Sequence, residues 1–157
     1  MIIDYNNFKK INKILDNKYQ KAFEIDNFLL EKKLKEVLIS INKSKKPTKI
    51  FKHNSKIVKT EFNKFKDLHQ NLNKLIKEIY SRKFIKILEE IFNIKKLHPD
   101  RSNLYSGLNI SNKGSKLNEH IDFNFNKSIK KYRYINLLLY LNKNYRKEHG
   151  GIFYIRD

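Results

Sequence analysis

His120-Ile121-Asp122 sets an imidazole and a carboxylate two residues apart. On a β-strand, residues i and i+2 project from the same face, so such a pair offers one nitrogen and one carboxylate oxygen to a common point. Two donors of this kind, joined by one more His, are the protein ligands of the two-His-one-carboxylate facial triad. That triad leaves three positions on a non-haem Fe(II) for co-substrate and O2. Alone, the pattern is short and recurs on ordinary surface strands, so its meaning depends on its surroundings. The chain has no Cys, which excludes disulfides, thiolate zinc sites and cysteine nucleophiles and is compatible with a reducing cytoplasm, the expected location. Of the other His residues, His53, His69 and His98 read as surface or packing residues, and His149 as solvated in a polar loop.

The elements that must position the pair follow from periodicity and punctuation. Both Pro residues, Pro47 and Pro99, precede Gly107, and the remaining Gly residues, Gly114, Gly150 and Gly151, follow it. The shift predicts helices first and β-structure afterwards. Apolar spacings of three and four predict a short helix over 8–15 and a longer one over 29–41, with a brief strand over 22–28 between them. Residues 42–55, polar and Lys-rich around Pro47, read as a loop. Two further helices are expected, one carried by Leu68, Leu72, Leu75, Ile76 and Ile79, the other by Phe84, Ile85, Leu88 and Ile91 with Ser81 as N-cap. After Pro99 the period changes. Residues 104–110 are short and mixed, a turn is expected at 112–115, and residues 116–123 alternate polar and apolar like a half-buried strand. Residues 133–141 form a continuous apolar run that reads as a fully buried strand. A polar loop over 142–151 ends in Gly-Gly, where positive φ is expected, and 152–155 begin another strand.

Three ordered segments give the H-x-D pair its context: Leu117-Asn-Glu-His-Ile-Asp-Phe123, Arg133-Tyr-Ile-Asn-Leu-Leu-Leu-Tyr-Leu-Asn142 and Gly150-Gly-Ile-Phe-Tyr-Ile-Arg-Asp157. Upstream stand Phe84-Ile-Lys-Ile-Leu-Glu-Glu90 and Asn103-Leu-Tyr-Ser-Gly-Leu108. Together these resemble the prolyl-4-hydroxylase-like branch of the 2-oxoglutarate/Fe(II) dioxygenases, in its bacterial and phage form, over residues 84–157. The resemblance implies an α+β fold: N-terminal helices packed on the first half of a double-stranded β-helix, or jelly roll. It implies a single oxygenase domain over 1–157, mainly helical to residue 98 and holding the first β-helix strands from 99. It implies Fe(II), 2-oxoglutarate and O2 as cofactor and co-substrates, with ascorbate as an accessory reductant. The implied reaction hydroxylates a C–H bond and converts 2-oxoglutarate to succinate. Carried over by position, His120 and Asp122 match iron ligands, Tyr140 matches a tyrosine that hydrogen-bonds 2-oxoglutarate, and Leu138 would wall the same pocket. Arg133 matches a recurrent arginine, read here as opening its strand.

The departures are equally specific. Ile110 stands where some relatives carry a co-substrate tyrosine. The family's distal His and the basic residue that clamps the 2-oxoglutarate carboxylate both match positions after Asp157. The expectation is therefore an oxygenase domain incomplete at its C-terminus, inactive by itself for want of a third ligand.

Charge and composition set the rivals. The formal net charge of +19 invites a nucleic-acid reading. Yet Lys outnumbers Arg 30 to 5, and Lys, Asn and Ile together make 71 of the 157 residues. All three are drawn from A/T-rich codons, so the charge reads chiefly as composition drift, and groove readers favour Arg's bidentate fork. Nucleic acid is therefore not the expected partner. A basic nucleic-acid-binding protein stays as one rival, and a catalytically dead half-domain serving as an interaction module as the other. No apolar run approaches the roughly 18 residues of a membrane span, and the start of the chain has no signal-peptide pattern.

Overall fold

Around Ser81 local chemistry and observed structure coincide. The hydroxyl of Ser81 accepts the Phe84 N–H at 3.3 Å, capping helix α3 over Arg82–Phe92, and Asn93 ends it in the left-handed region at φ 51°. Asn tolerates that conformation better than other non-glycine residues. Helix α2, Gln70–Ile79, precedes it and is capped by the ring nitrogen of His69, which accepts from Asn71 N–H. Helix α1 covers Glu31–Asn42. The apolar stripes of the three helices turn inward: Val37, Leu72, Leu75, Phe84, Ile85 and Leu88 are buried, as the spacings of three and four require.

The computed structural model describes residues 1–18, 20–44, 47–54, 56–101, 106–118, 120–142 and 144–155. They fall into two bodies, Met1–His120 and Ile121–Asp157. The fold is mixed α+β, with small antiparallel sheets beside the three helices and no closed barrel among the described residues. No helix there is long and apolar enough to cross a membrane.

In the first body the chain start is pinned to the core. Ile3 bridges Leu29, Leu30 N–H donates to the Ile2 carbonyl at 2.9 Å, and the Glu78 carboxylate accepts the N–H groups of Ile2 and Ile3. Phe8, Phe28 and Phe84 meet edge-on or tilted within 5.9 Å, the geometry that ring quadrupoles favour. A hairpin joins strand β1 (Asn12–Asp16) to β2 (Lys21–Glu24), and a three-stranded sheet runs β3 (Lys49–His53), β4 (Lys56–Phe62), β5 (Leu108–Ser111) in that spatial order.

Several expectations are corrected here. Residues 8–15 do not form one helix: a 3-10 turn over Tyr5–Lys9, capped by Asp4, gives way to β1. The turn in which Asn17 Oδ1 accepts Gln20 N–H at 2.7 Å closes the hairpin, and a ladder overrides a marginal helical period in so short a segment. The expected loop over 42–55 contains β3. Every residue of β3 is exposed, so no apolar alternation marks it in sequence; its Lys residues suit an edge strand. The described residues among the first ninety-eight thus carry four strands as well as three α-helices. The brief strand expected over 22–28 corresponds to the observed β2, which begins one residue earlier and ends four residues earlier. The turn at 112–115 is present, with Ser115 N–H on the Asn112 carbonyl at 3.0 Å.

The second body is built on a small hairpin. Strand β6 (Phe125–Asn126) pairs with β7 (Lys131–Tyr132), Phe125 opposite Tyr132 with ring centroids 4.9 Å apart. The buried Asn126 closes the connection: its Oδ1 accepts both the N–H and the hydroxyl of Ser128 at 3.0 and 2.6 Å. Residues 116–118 and 120–123 carry no ladder, and neither do 133–142 nor 152–155. An apolar run supplies β-propensity, but a strand also needs a backbone ladder to take its N–H and C=O groups, and among the described residues these segments have none. Glu119, residues 103–105 of the lead-in segment, and Arg156 and Asp157 lie outside the described residues. Gly150 and Gly151 have the expected positive φ, 73° and 75°.

Candidate metal centre

His120 and Asp122 fall on either side of the division between the two bodies, and each is held within its own. The His120 ring places Nδ1 2.7 Å from the Asn118 carbonyl oxygen. A carbonyl only accepts, so Nδ1 carries the proton and Nε2 is the basic nitrogen. That is the tautomer of a metal-ligating imidazole whose other nitrogen is anchored by a backbone carbonyl.

Asp122 is positioned by the β6–β7 hairpin. The observed pairs 125–132 and 126–131 continue in register to 124–133, where Arg133 N–H donates to the Asn124 carbonyl at 2.6 Å. Two residues further, the same register would set residue 122 opposite 135. The Asp122 carboxylate accordingly meets the residues flanking that position: its Oδ2 accepts from Arg133 Nη1 at 3.0 Å and from Asn136 Nδ2 at 2.8 Å. The carboxylate stays half-exposed, at 48%, while the Arg133 side chain is 23% exposed. Arg133, expected to open a strand, instead follows the end of β7 in a segment without a ladder and grips the carboxylate. Asn136 was not legible as a site residue; the signal available was its parity with Leu138 and Tyr140 in the 133–142 run.

That run is not the fully buried strand its composition suggests. Arg133, Ile135, Leu139 and Leu141 are half-buried, whereas Tyr134, Asn136, Leu137, Leu138 and Tyr140 are exposed, so exposure alternates except at Leu137. Leu138 and Tyr140 are 48% and 58% exposed, so neither is buried as a fully covered strand would have it. Burial raises the Tyr140 phenol above its ordinary pKa, with Tyr145 adding to it, so at neutral pH the hydroxyl is an O–H donor.

The remaining imidazoles have local roles. His149 lies in a 3-10 turn, exposed, with Nδ1 accepting Arg146 N–H at 3.2 Å. His69 caps α2, and His53 ends β3 as an exposed residue. Among the described residues no group of three His, Cys, Asp or Glu side chains is gathered closely enough to hold a metal ion. The chemistry of His120 and Asp122, an imidazole Nε2 and a carboxylate, suits Fe(II) as two donors of three. Comparison of the chain with family models, with curated proteins and with solved structures finds no match.

Proposed function

We propose that residues 1–157 form part of an Fe(II)/2-oxoglutarate-dependent dioxygenase of the prolyl-4-hydroxylase-like type, with a helical portion and the first half of a double-stranded β-helix. The observation that carries the reading is the grip of Arg133 and Asn136 on Asp122. It ties the carboxylate of the H-x-D motif to the segment that bears Leu138 and Tyr140. Metal-ligating carboxylates are themselves commonly hydrogen-bonded, and the partners set their orientation.

His120 Nε2 and Asp122 would hold the iron, whose supplied chemistry is activation of O2 coupled to decarboxylation of 2-oxoglutarate and hydroxylation of a C–H bond. The residues of this chain do the positioning. The Asn118 carbonyl fixes the His120 tautomer, Arg133 and Asn136 orient the carboxylate, and Tyr140 presents an O–H donor to a carboxylate of 2-oxoglutarate. Leu138, near Tyr140 in the same run, would wall the co-substrate once covered. The resemblance implies a third ligand and a carboxylate clamp besides these residues.

The interaction-module reading is favoured by one observation, the exposure of Ile152, Phe153, Tyr154 and Ile155 together with the Tyr134–Tyr140 face. In an oxygenase the rest of the β-helix covers these groups; in a module a partner does. Nuclear magnetic resonance of the 157-residue chain titrated with Mn(II) separates the two. Saturable paramagnetic broadening centred on residues 118–122 and 133–136, lost in His120→Ala and in Asp122→Ala, is expected of the metal site. Broadening spread evenly over the acidic residues would refute it.

A further inference from the structure

A second feature of the first body is independent of that metal site. After α3 the chain turns at Asn93 and returns over the α2–α3 corner, leaving a cleft of about 420 Å³ lined by eight residues. Its apolar wall is Tyr80, Ile85, Leu97 and Pro99, and its cationic groups are Arg82, Lys96 and Arg101, with His98 beside them.

Composition drift does not account for that lining. The chain holds only 5 Arg among 157 residues, yet two of them are among the eight that line this cleft. Arg is the side chain whose planar fork matches an oxyanion.

The corner is also built rather than loose. Glu89 is paired to Arg82 at 3.0 Å and accepts the Leu97 N–H at 2.9 Å, so one carboxylate fastens the return segment to α3. Tyr80 is held by a 3.2 Å hydrogen bond between its hydroxyl and that of Ser106. Glu89 is thereby occupied with Arg82 and the backbone. Lys96, His98 and Arg101 are exposed at the rim; Asp100, between Pro99 and Arg101, acts on Tyr80 against Arg101, so the cationic groups of the rim outnumber that carboxylate.

We propose that this cleft binds a small oxyanion carried on a flat apolar body, such as an aryl or acyl phosphate or carboxylate. The oxyanion lies between Arg101 and Lys96, and the apolar body lies against Tyr80, Leu97 and Pro99. Ligand sites of this kind pair an apolar lining with a few convergent polar groups.

Phenyl phosphate titrated into the 157-residue chain, followed by amide chemical shifts, tests the assignment. Saturable shifts confined to 80–82 and 96–101 are expected, with inorganic phosphate binding at least about tenfold more weakly because it lacks the apolar body. Arg101→Gln and Lys96→Asn should each raise the phenyl phosphate Kd about tenfold, the loss of one charge-assisted contact. Asn suits position 96 because the backbone there is left-handed, φ 62°. Lys113→Gln removes the same charge from an exposed turn and should leave the Kd unchanged. Equal affinity for phosphate and phenyl phosphate, equal weakening by Lys113→Gln and Arg101→Gln, or no saturable shift at 96–101 would each overturn the proposal.

Discussion

At the scale of single residues, Asp122 is a carboxylate whose orientation is set by two neighbours. Its neighbours Arg133 and Asn136 each donate one hydrogen bond, at 3.0 and 2.8 Å, to the same oxygen. An oriented carboxylate has less freedom to lose when a cation arrives. Asn136→Ala should therefore weaken Mn(II) binding by about tenfold, the low end of what outer-sphere partners contribute, and titration calorimetry would register it. Unchanged affinity would show that Asn136 merely packs. Tyr140 belongs to the same scale. A hydrogen bond to a charged group is worth about 1.5–3 kcal/mol, so in a turnover-competent polypeptide Tyr140→Phe should raise the apparent 2-oxoglutarate requirement about ten- to a hundredfold while leaving metal affinity intact. Steady-state succinate formation against 2-oxoglutarate concentration measures the first effect, and against Fe(II) concentration the second.

At the scale of elements, what the sequence makes legible depends on whether local chemistry decides the structure. Ser81 capping α3, the inward stripes of α1 and α2, the turn at 112–115 and the Gly-Gly conformation are all set within a few residues, and each is readable. Ser81→Ala should cost about 1 kcal/mol, seen as a fall of about 2–4 °C in the unfolding midpoint. Glu89 adds a pH dependence to the same helix. The Arg82 hydrogen bond, with the N–H groups of Leu97 and Lys96, holds its carboxyl below the ordinary range. A depressed folded pKa gives stability that is present above the unfolded value, about 4.3, and lost as pH falls through the lower folded one. Thermal unfolding followed from pH 7 down to about pH 3 should lose part of its acid dependence in Glu89→Gln. By contrast, β1 and β3 are invisible to periodicity, because one follows from a turn at Asn17 and the other is an edge strand exposed on both faces. The 133–142 run fails differently: its composition is that of a covered strand, but covering is a property of neighbours. The pair proposed to hold a metal, His120 and Asp122, is legible as a motif, whereas Asn136 becomes visible only through its hydrogen bond to Asp122.

At the scale of the whole molecule, the large positive charge and the apolar groups left exposed in the second body bear on different questions. The exposed Lys residues of 43–56 lie along an edge strand and its approaches, where charge guards an open edge. Replacing Lys43, Lys49, Lys52 and Lys56 with Gln should leave Mn(II) binding unchanged, and the same variant compared with the parent chain by fluorescence anisotropy should show no loss of a tight nucleic-acid complex. Nanomolar, sequence-selective binding by the parent chain at physiological salt would instead favour a nucleic-acid function. The exposed Leu138, Tyr140, Phe153 and Tyr154 are groups that a complete β-helix would cover. Hydroxylase chemistry needs that cover, because the pocket must exclude water. The decisive measurement is succinate formation from 2-oxoglutarate under Fe(II) and O2. It should be made on the 157-residue chain and on a polypeptide in which these residues are joined to the distal half bearing the third His and the carboxylate clamp. The expected result is no turnover by the first and turnover by the second, abolished by His120→Ala and by Asp122→Ala. Undiminished succinate formation in the His120→Ala polypeptide would contradict the iron-ligand assignment and the dioxygenase reading built on it.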